Sequence, residues 1–302
     1  MVFFKQNRGP CASTLGQGGL ATSGDVYALP VAGAALSLAA IMMKSFPVEF
    51  FSSDGARLAY IDIPPDGEGP GTPIMLVHGF ASTHQVNWVN TLWVKTLSQA
   101  GYRVIAHDNR GHGQSEALYD PAAYASDIMA ADVGRLMDHL KIESAFVMGY
   151  SMGARITAHL ALQSPDRVKA ALLGGLGIHL VHGVGLPLGI ADAMEAPSLA
   201  DLTDPMQRMF RAFAEQNRQD LKAMAACIRG SRQVLSEGEV ARIHVPVLIS
   251  VGTKDNVAGA PEPLAALMPD AKAFPVEGRD HSTAVGDRTH RQAVLDFLKA
   301  VE

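Results

Sequence analysis

Ala145-Phe-Val-Met-Gly-Tyr-Ser-Met-Gly153 decides how this chain folds. An apolar run leads straight into Gly149-x-Ser151-x-Gly153, and a helical pattern follows from Arg155 to Gln163 until Ser164-Pro165 ends it. A short unbroken apolar run is the pattern of a strand buried on both faces of a parallel sheet. Strand, tight turn and helix in succession put Ser151 on a sharp, strained bend. Glycines flank it because a Cβ at those positions would collide with neighbouring backbone. The bend pushes the hydroxyl out at the C-terminal edge of the sheet, where α/β folds bind ligands. The N-terminus of the following helix favours negative charge beside it.

Outward from this segment the same alternation repeats. Pro73 to Val77, Arg103 to Ala106, Ala170 to Leu173 and Val245 to Val251 are further buried-strand runs. Pro47 to Phe51 and Arg57 to Ile63 flank Ser53-Asp54-Gly55 and read as a hairpin. Met129, Val133, Leu136, Met137 and Leu140 share one helical face, as do Val294, Leu298 and Val301. Strands alternating with helices predict an α/β fold: a mostly parallel central sheet with helices on both faces. The core is expected over residues 46–176 and 244–302. Residues 177–243 hold no buried-strand run and are too long for a plain loop, so they are expected to form a small helical cap.

Residues 1–45 read differently. They are rich in Gly, Ser and Ala, and an apolar run from Leu29 to Met43 is broken by Pro30 and Gly33. About fifteen residues is short of the roughly 20 that cross a bilayer. Lys5 and Arg8 lie far from that run, and Ile41-Met-Met-Lys44 is no small-residue cleavage site. The preferred reading is a poorly ordered extension or a mis-assigned start, with Met42 or Met43 as the first residue. A secretion signal is the disfavoured alternative, and the expected location is cytoplasmic, with no stable membrane insertion.

Composition narrows the function. The 302 residues are 48% hydrophobic and 18% charged with net charge -5, which excludes a disordered chain. No Lys/Arg run forms a stripe for nucleic-acid phosphates. Two cysteines, Cys11 and Cys227, cannot build a disulfide framework. No Cys/His cluster has zinc spacing, and no heme, flavin or nucleotide motif occurs, so no cofactor is expected.

A serine hydroxyl needs a base, and the base needs an orienting acid. Of eleven histidines, His281 in Gly278-Arg-Asp-His-Ser282 follows the last strand at the correct sheet edge. His290 is expected to face solvent from the terminal helix, and His139, His159 and His244 to be structural, in or beside core elements. Asp255, in Gly252-Thr-Lys-Asp255 after the Val247–Val251 strand, is the acid. No Asp or Glu lies between Asp166 and Asp192, and Asp280 is too near His281 to reach back to it. An oxyanion needs preorganised donors. The Met152 amide is one, and the Phe80 amide in His78-Gly-Phe80 is the other. The Phe80 ring reads equally as pocket lining or core, and His78 as a hydrogen-bonding support of its loop.

With these segments in place, residues 46–302 resemble the α/β-hydrolase superfamily. The resemblance rests on His78-Gly-Phe80, Asp108-Asn-Arg-Gly-His-Gly-Gln-Ser115, Gly149-Tyr-Ser-Met-Gly153, Gly252-x-x-Asp255 and His281. Their order, Ser then Asp then His, is the family order. The resemblance implies that Asp108 to Ser115 is a structural loop, with no catalytic role for Arg110 or His112. Serine at position 151 speaks against dehalogenase and epoxide-hydrolase chemistry, whose members use aspartate there. The expectation is a cofactor-independent serine hydrolase of a small ester or lactone carrying an apolar group, selected by the cap (Leu180, Val184, Leu186, Leu188, Ile190, Met194, Met206, Met209, Phe210, Phe213). The same triad also serves C–C bond hydrolysis and perhydrolysis. A non-catalytic small-ligand receptor is the reading from another class.

Overall fold

The computed structural model describes residues 46–183 and 185–302. The expectations for residues 1–45 and the place of Val184 in the cap lie outside the described residues. Eight strands form one sheet: β1 (Glu49–Ser53), β2 (Ala56–Ile63), β3 (Thr72–Val77), β4 (Tyr102–His107), β5 (Ala145–Tyr150), β6 (Val168–Gly174), β7 (Val247–Gly252) and β8 (Ala271–Val276). Their order is β1-β2-β4-β3-β5-β6-β7-β8. β1/β2 and β2/β4 are antiparallel, and every other pair is parallel. The β1–β2 turn places Asp54 (φ 49°) and Gly55 (φ 80°) in the left-handed region that two-residue hairpins demand.

Period-2 alternation sends successive residues of the central strands to opposite faces. Met75, Val77, Ile105, Val147, Leu173 and Ile249 enter one core. Ile74, Leu76, Val104, Phe146, Met148 and Leu172 enter the other. Helices cover both: α1 (Trp93–Gln99), α2 (Ser126–His139) and α3 (Met152–Gln163) precede residues 177–243, and α10 (Arg288–Val301) follows β8. Met129, Val133, Leu136 and Met137 of α2 are buried in the first core, Val294 and Leu298 of α10 in the second.

Between β6 and β7 the described residues form helices and no strand. These are α4 (His179–His182), α5 (Gly189–Glu195), α6 (Pro205–Gln216), α7 (Leu221–Gly230) and α8 (Glu237–Val240), with α9 (Pro261–Ala265) following β7. Local chemistry starts two of them. Asp204 and Asp220 accept from Gln207 N–H (2.8 Å) and Ala223 N–H (3.0 Å), satisfying donors left over at a helix start. Buried Arg211 serves the end of α5, donating to the carbonyls of Ala193 (2.6 Å) and Ala196 (2.9 Å).

One buried arginine ties this segment to the core. Arg155, on α3, donates to the carbonyls of His179 (2.9 Å), Leu180 (3.3 Å), Gly183 (3.0 Å) and Gln233 (2.9 Å). Burial pulls its guanidinium down to about 10, so it stays charged at neutral pH. Asn217 adds a bond to the Ala81 carbonyl (3.1 Å).

Among the described residues no helix is long and apolar enough to cross a membrane.

Candidate active site

Ser151 sits at φ 56°, ψ −114°, a conformation that non-glycine residues avoid and that costs about 1–3 kcal/mol. Its surroundings hold it there. A Cβ on Gly149 would lie 2.1 Å from the Gly153 carbonyl oxygen, and one on Gly153 1.9 Å from the Val77 carbonyl oxygen. Ser151 N–H donates to the Gly174 carbonyl (2.7 Å) on the neighbouring strand. The glycines let strand and helix close up around the serine.

The loops after β7 and β8 bring Asp255 to His281. A Cβ on Gly252 would meet the Arg279 carbonyl oxygen at 2.2 Å. Thr253 N–H bonds Val276 O (3.0 Å) and Lys254 N–H bonds Arg279 O (2.9 Å). Asp255 and His281 then face each other, with Oδ2 2.7 Å from Nδ1. The other carboxylate oxygen accepts from Val257 N–H (2.8 Å) and Ala258 N–H (3.0 Å). Burial raises the Asp255 carboxyl, but His281 and these amides outweigh it and hold it below the usual range. An ionised Asp255 fixes the imidazole proton on Nδ1, leaving Nε2, 3.0 Å from Ser151 Oγ, as an acceptor. Asp280 is engaged elsewhere: it accepts from Ser282 N–H (3.1 Å) and Thr283 N–H (2.8 Å) within its own turn.

The loop after β3 presses against the serine. A Cβ on Gly79 would lie 3.2 Å from Tyr150 O and 3.4 Å from Ser151 Cβ. Neither the Phe80 nor the Met152 backbone N–H donates to another described residue. His78 holds this loop: Nδ1 bonds Gly79 O (2.8 Å) and Nε2 accepts Asn109 N–H (2.9 Å). Burial drives His78 down to about 3, so it is neutral. The Phe80 ring does both things expected of it. It is buried against the His112 and Phe210 rings and also borders the site cavities.

The Asp108–Ser115 loop is bonded into the structure. Asp108 accepts from the His84 backbone N–H and ring (both 2.8 Å) and from Gln114 N–H (2.9 Å). Burial would raise its carboxyl, but these partners hold it at about 2. Arg110 forks onto buried Asp132 of α2 at 2.6 and 2.7 Å.

Two histidine expectations need correction. His290 is fully buried rather than solvent-facing: its Nδ1 bonds Ala284 O (3.1 Å) and its ring packs edge-on against Trp93. A ring that follows Asp287 by one turn of α10 is drawn inward to this aromatic partner. His244 is exposed, in the short connection just before β7. His139 is also exposed, although its ring rests against Phe51 and Tyr60.

Tyr150 supports the site without any motif announcing it. It is buried, and its hydroxyl donates to the His281 carbonyl (2.7 Å). Its ring occupies space that a side chain at Gly174 or Gly175 would take. Gly174-Gly175, whose missing side chains leave room for the ring, are its trace in the sequence.

Two compartments meet at Ser151. One of about 490 Å³ is bordered by Met209, Phe210 and Phe213 of α6 together with His281. The other, of about 80 Å³, is bordered by Met152, Leu176, Leu186 and Ile228. Leu180, Ile190 and Met194 instead pack into the core, while Leu188 is half exposed.

A mostly parallel sheet carrying a serine on a strained strand-to-helix bend, with helices inserted between β6 and β7, defines a class of enzymes. A family model described as alpha/beta hydrolase fold matches residues 72–217. A non-heme chloroperoxidase from Streptomyces lividans is 30% identical over 259 residues, 76% of this chain and 91% of that protein. Epoxide hydrolase B of Mycobacterium tuberculosis is 37% identical over 139 residues, 44% of this chain and 36% of that protein. The solved structure of a hydrolase from Pseudomonas aeruginosa PA01 matches with TM-score 0.66 at 26% identity, over 83% of this chain and 98% of that one. The chain belongs to the α/β-hydrolase fold family. It is a hydrolytic enzyme.

Proposed function

We propose that the protein is a serine hydrolase cleaving a small ester or lactone through an acyl-enzyme. The observation that carries this reading is the continuous chain Ser151 Oγ–His281 Nε2 (3.0 Å) and His281 Nδ1–Asp255 Oδ2 (2.7 Å). His281 takes the hydroxyl proton as Ser151 Oγ bonds to the carbonyl carbon. The carbonyl electron pair moves to oxygen, which the Phe80 and Met152 amides receive. The carbon–oxygen bond to the leaving group then breaks, and His281 returns its proton to the departing alkoxide. Water, deprotonated by the same histidine, releases the acid and restores the serine. The helical segment over residues 177–243 acts as the cap that selects the substrate. Its α6 aromatics favour an apolar group. The partner is thus a small molecule, and the chemistry draws on side chains and backbone alone.

The test is Ser151→Ala. It should abolish turnover of p-nitrophenyl esters and labelling by a fluorophosphonate while the melting temperature holds. Wild-type-like turnover by that variant would refute the assignment.

The chloroperoxidase relative favours one second reading, perhydrolysis, in which hydrogen peroxide replaces water in attacking the acyl-enzyme and a peracid leaves. Peracid formed from acetate and peroxide by wild type, and not by Ser151→Ala, is its signature.

A further inference from the structure

Ser151 lies between compartments of unequal size, about 80 Å³ and about 490 Å³, whose walls share Phe80, Ser151 and Val257. His281 borders the larger and not the smaller; Met152 borders the smaller and not the larger. Resting on the triad reading above, the chemistry assigns an end of the substrate to each. When the tetrahedral adduct collapses, the bond to the leaving oxygen breaks, its electron pair stays on that oxygen, and the proton arrives from His281 Nε2. The leaving oxygen must therefore lie against His281, and its substituent extends into the larger compartment. The substituent on the acyl carbon is left with the space beside Met152.

The geometry points to open-chain esters that join a short acyl group to a bulky, largely apolar alcohol. The compartment beside Met152 is the tighter of the two, so it takes the shorter substituent. Its walls are firm. Leu176 and Ile228 are buried, and the neighbouring Arg155 is bonded to four carbonyls. The alcohol side is larger and faces Met209, half exposed, with Phe210 and Phe213. A small lactone joins acyl and alkoxy carbons in one ring. It cannot send them into separate compartments, so it is the poorer substrate.

The test is a matrix of purified full-length chain against p-nitrophenyl acetate, butyrate, hexanoate and octanoate, ethyl and 1-naphthyl acetate, and γ-butyrolactone. Among the p-nitrophenyl esters kcat/KM should peak at acetate or butyrate and fall about tenfold or more by octanoate. 1-Naphthyl acetate should exceed both ethyl acetate and the lactone. Ile228→Ala removes three carbons from the small wall and should move the optimum about two to three carbons longer. Leu186→Phe, at a part-exposed position, should confine activity to acetate and serves should Ile228→Ala fail to fold. An optimum at octanoate, a lactone preferred over open esters, or an acyl profile unmoved by either variant would overturn the assignment of compartments while leaving the triad standing. No turnover of any ester together with no fluorophosphonate labelling of Ser151 would overturn both.

Discussion

Replacing Asp255 with asparagine tests the triad by moving one proton. One carboxylate oxygen accepts two backbone N–H groups at 2.8 and 3.0 Å, and the other faces His281 Nδ1 at 2.7 Å. In Asp255→Asn the amide can keep both backbone bonds only with its oxygen toward Val257 and Ala258. The opposite orientation sets an NH₂ against two N–H donors and leaves them unpaired, at about 1–3 kcal/mol each. The NH₂ therefore points at His281, Nδ1 becomes an acceptor, and the ring proton moves to Nε2. A protonated Nε2 at 3.0 Å cannot accept the proton of Ser151. Only the disfavoured orientation stays active, so about 2–6 kcal/mol becomes a loss between about 30-fold and about 10⁴-fold. The assay is kcat/KM for p-nitrophenyl acetate across neutral pH, with circular dichroism and melting confirming an intact fold. A folded Asp255→Asn within about threefold of wild type would refute both the orientation argument and the role of Asp255.

Three more predictions follow from the packing. Burial lowers His78 to about 3, and His112 and His290 each to about 4, so all three stay neutral in the folded state where the unfolded chain takes up protons. Their stabilisation is complete above about pH 6.5 and falls with pH. By pH 5 each has given up about 2 kcal/mol, a sum comparable with the stability of a whole domain. Melting temperature should drop steeply between pH 7 and pH 5, and a flat profile contradicts this. Gly153→Ala places a Cβ 1.9 Å from Val77 O and 2.7 Å from His78 O, both backbone. It should cost about 3 kcal/mol or more, lowering the melting temperature by roughly 6–12 °C. An unchanged melt would show that the strand and helix can part there. Tyr150→Phe removes the hydroxyl that holds the His281 carbonyl at 2.7 Å. It should reduce kcat about five- to tenfold with KM little changed, and equal loss in both would mean the ring's contact with ligand matters instead.

Legibility in the sequence followed the range of the interaction. The buried strands announce themselves by apolar runs, and the bend at Ser151 by its two glycines, because both are set by neighbours in the chain. His281 and Asp255 are predicted by position, since each follows a strand and the C-terminal ends of parallel strands share one edge, and the structure brings the two side chains within 2.7 Å. What stayed hidden depends on who sits across the gap. His290 looks like a solvent-facing residue of a terminal helix until Trp93, remote in sequence, supplies a ring to receive it. Tyr150 gains its role from a carbonyl 131 positions away. The sizes of the two compartments depend on Leu176 after β6, Ile228 on α7 and the α6 aromatics, and no local pattern reports how those elements pack.

Arg155 bears on how this enzyme's substrate range can drift. The guanidinium grips the segment between β6 and β7 through main-chain carbonyls at positions 179, 180, 183 and 233, not through side chains. Every amino acid offers that same oxygen. Side chains facing the ligand can therefore be exchanged, and selectivity remade, while the attachment itself is inherited unaltered. The clamp shares a helix with the backbone just after Ser151. Diversification of the ligand-facing surface is thereby kept mechanically separate from the part that must not move.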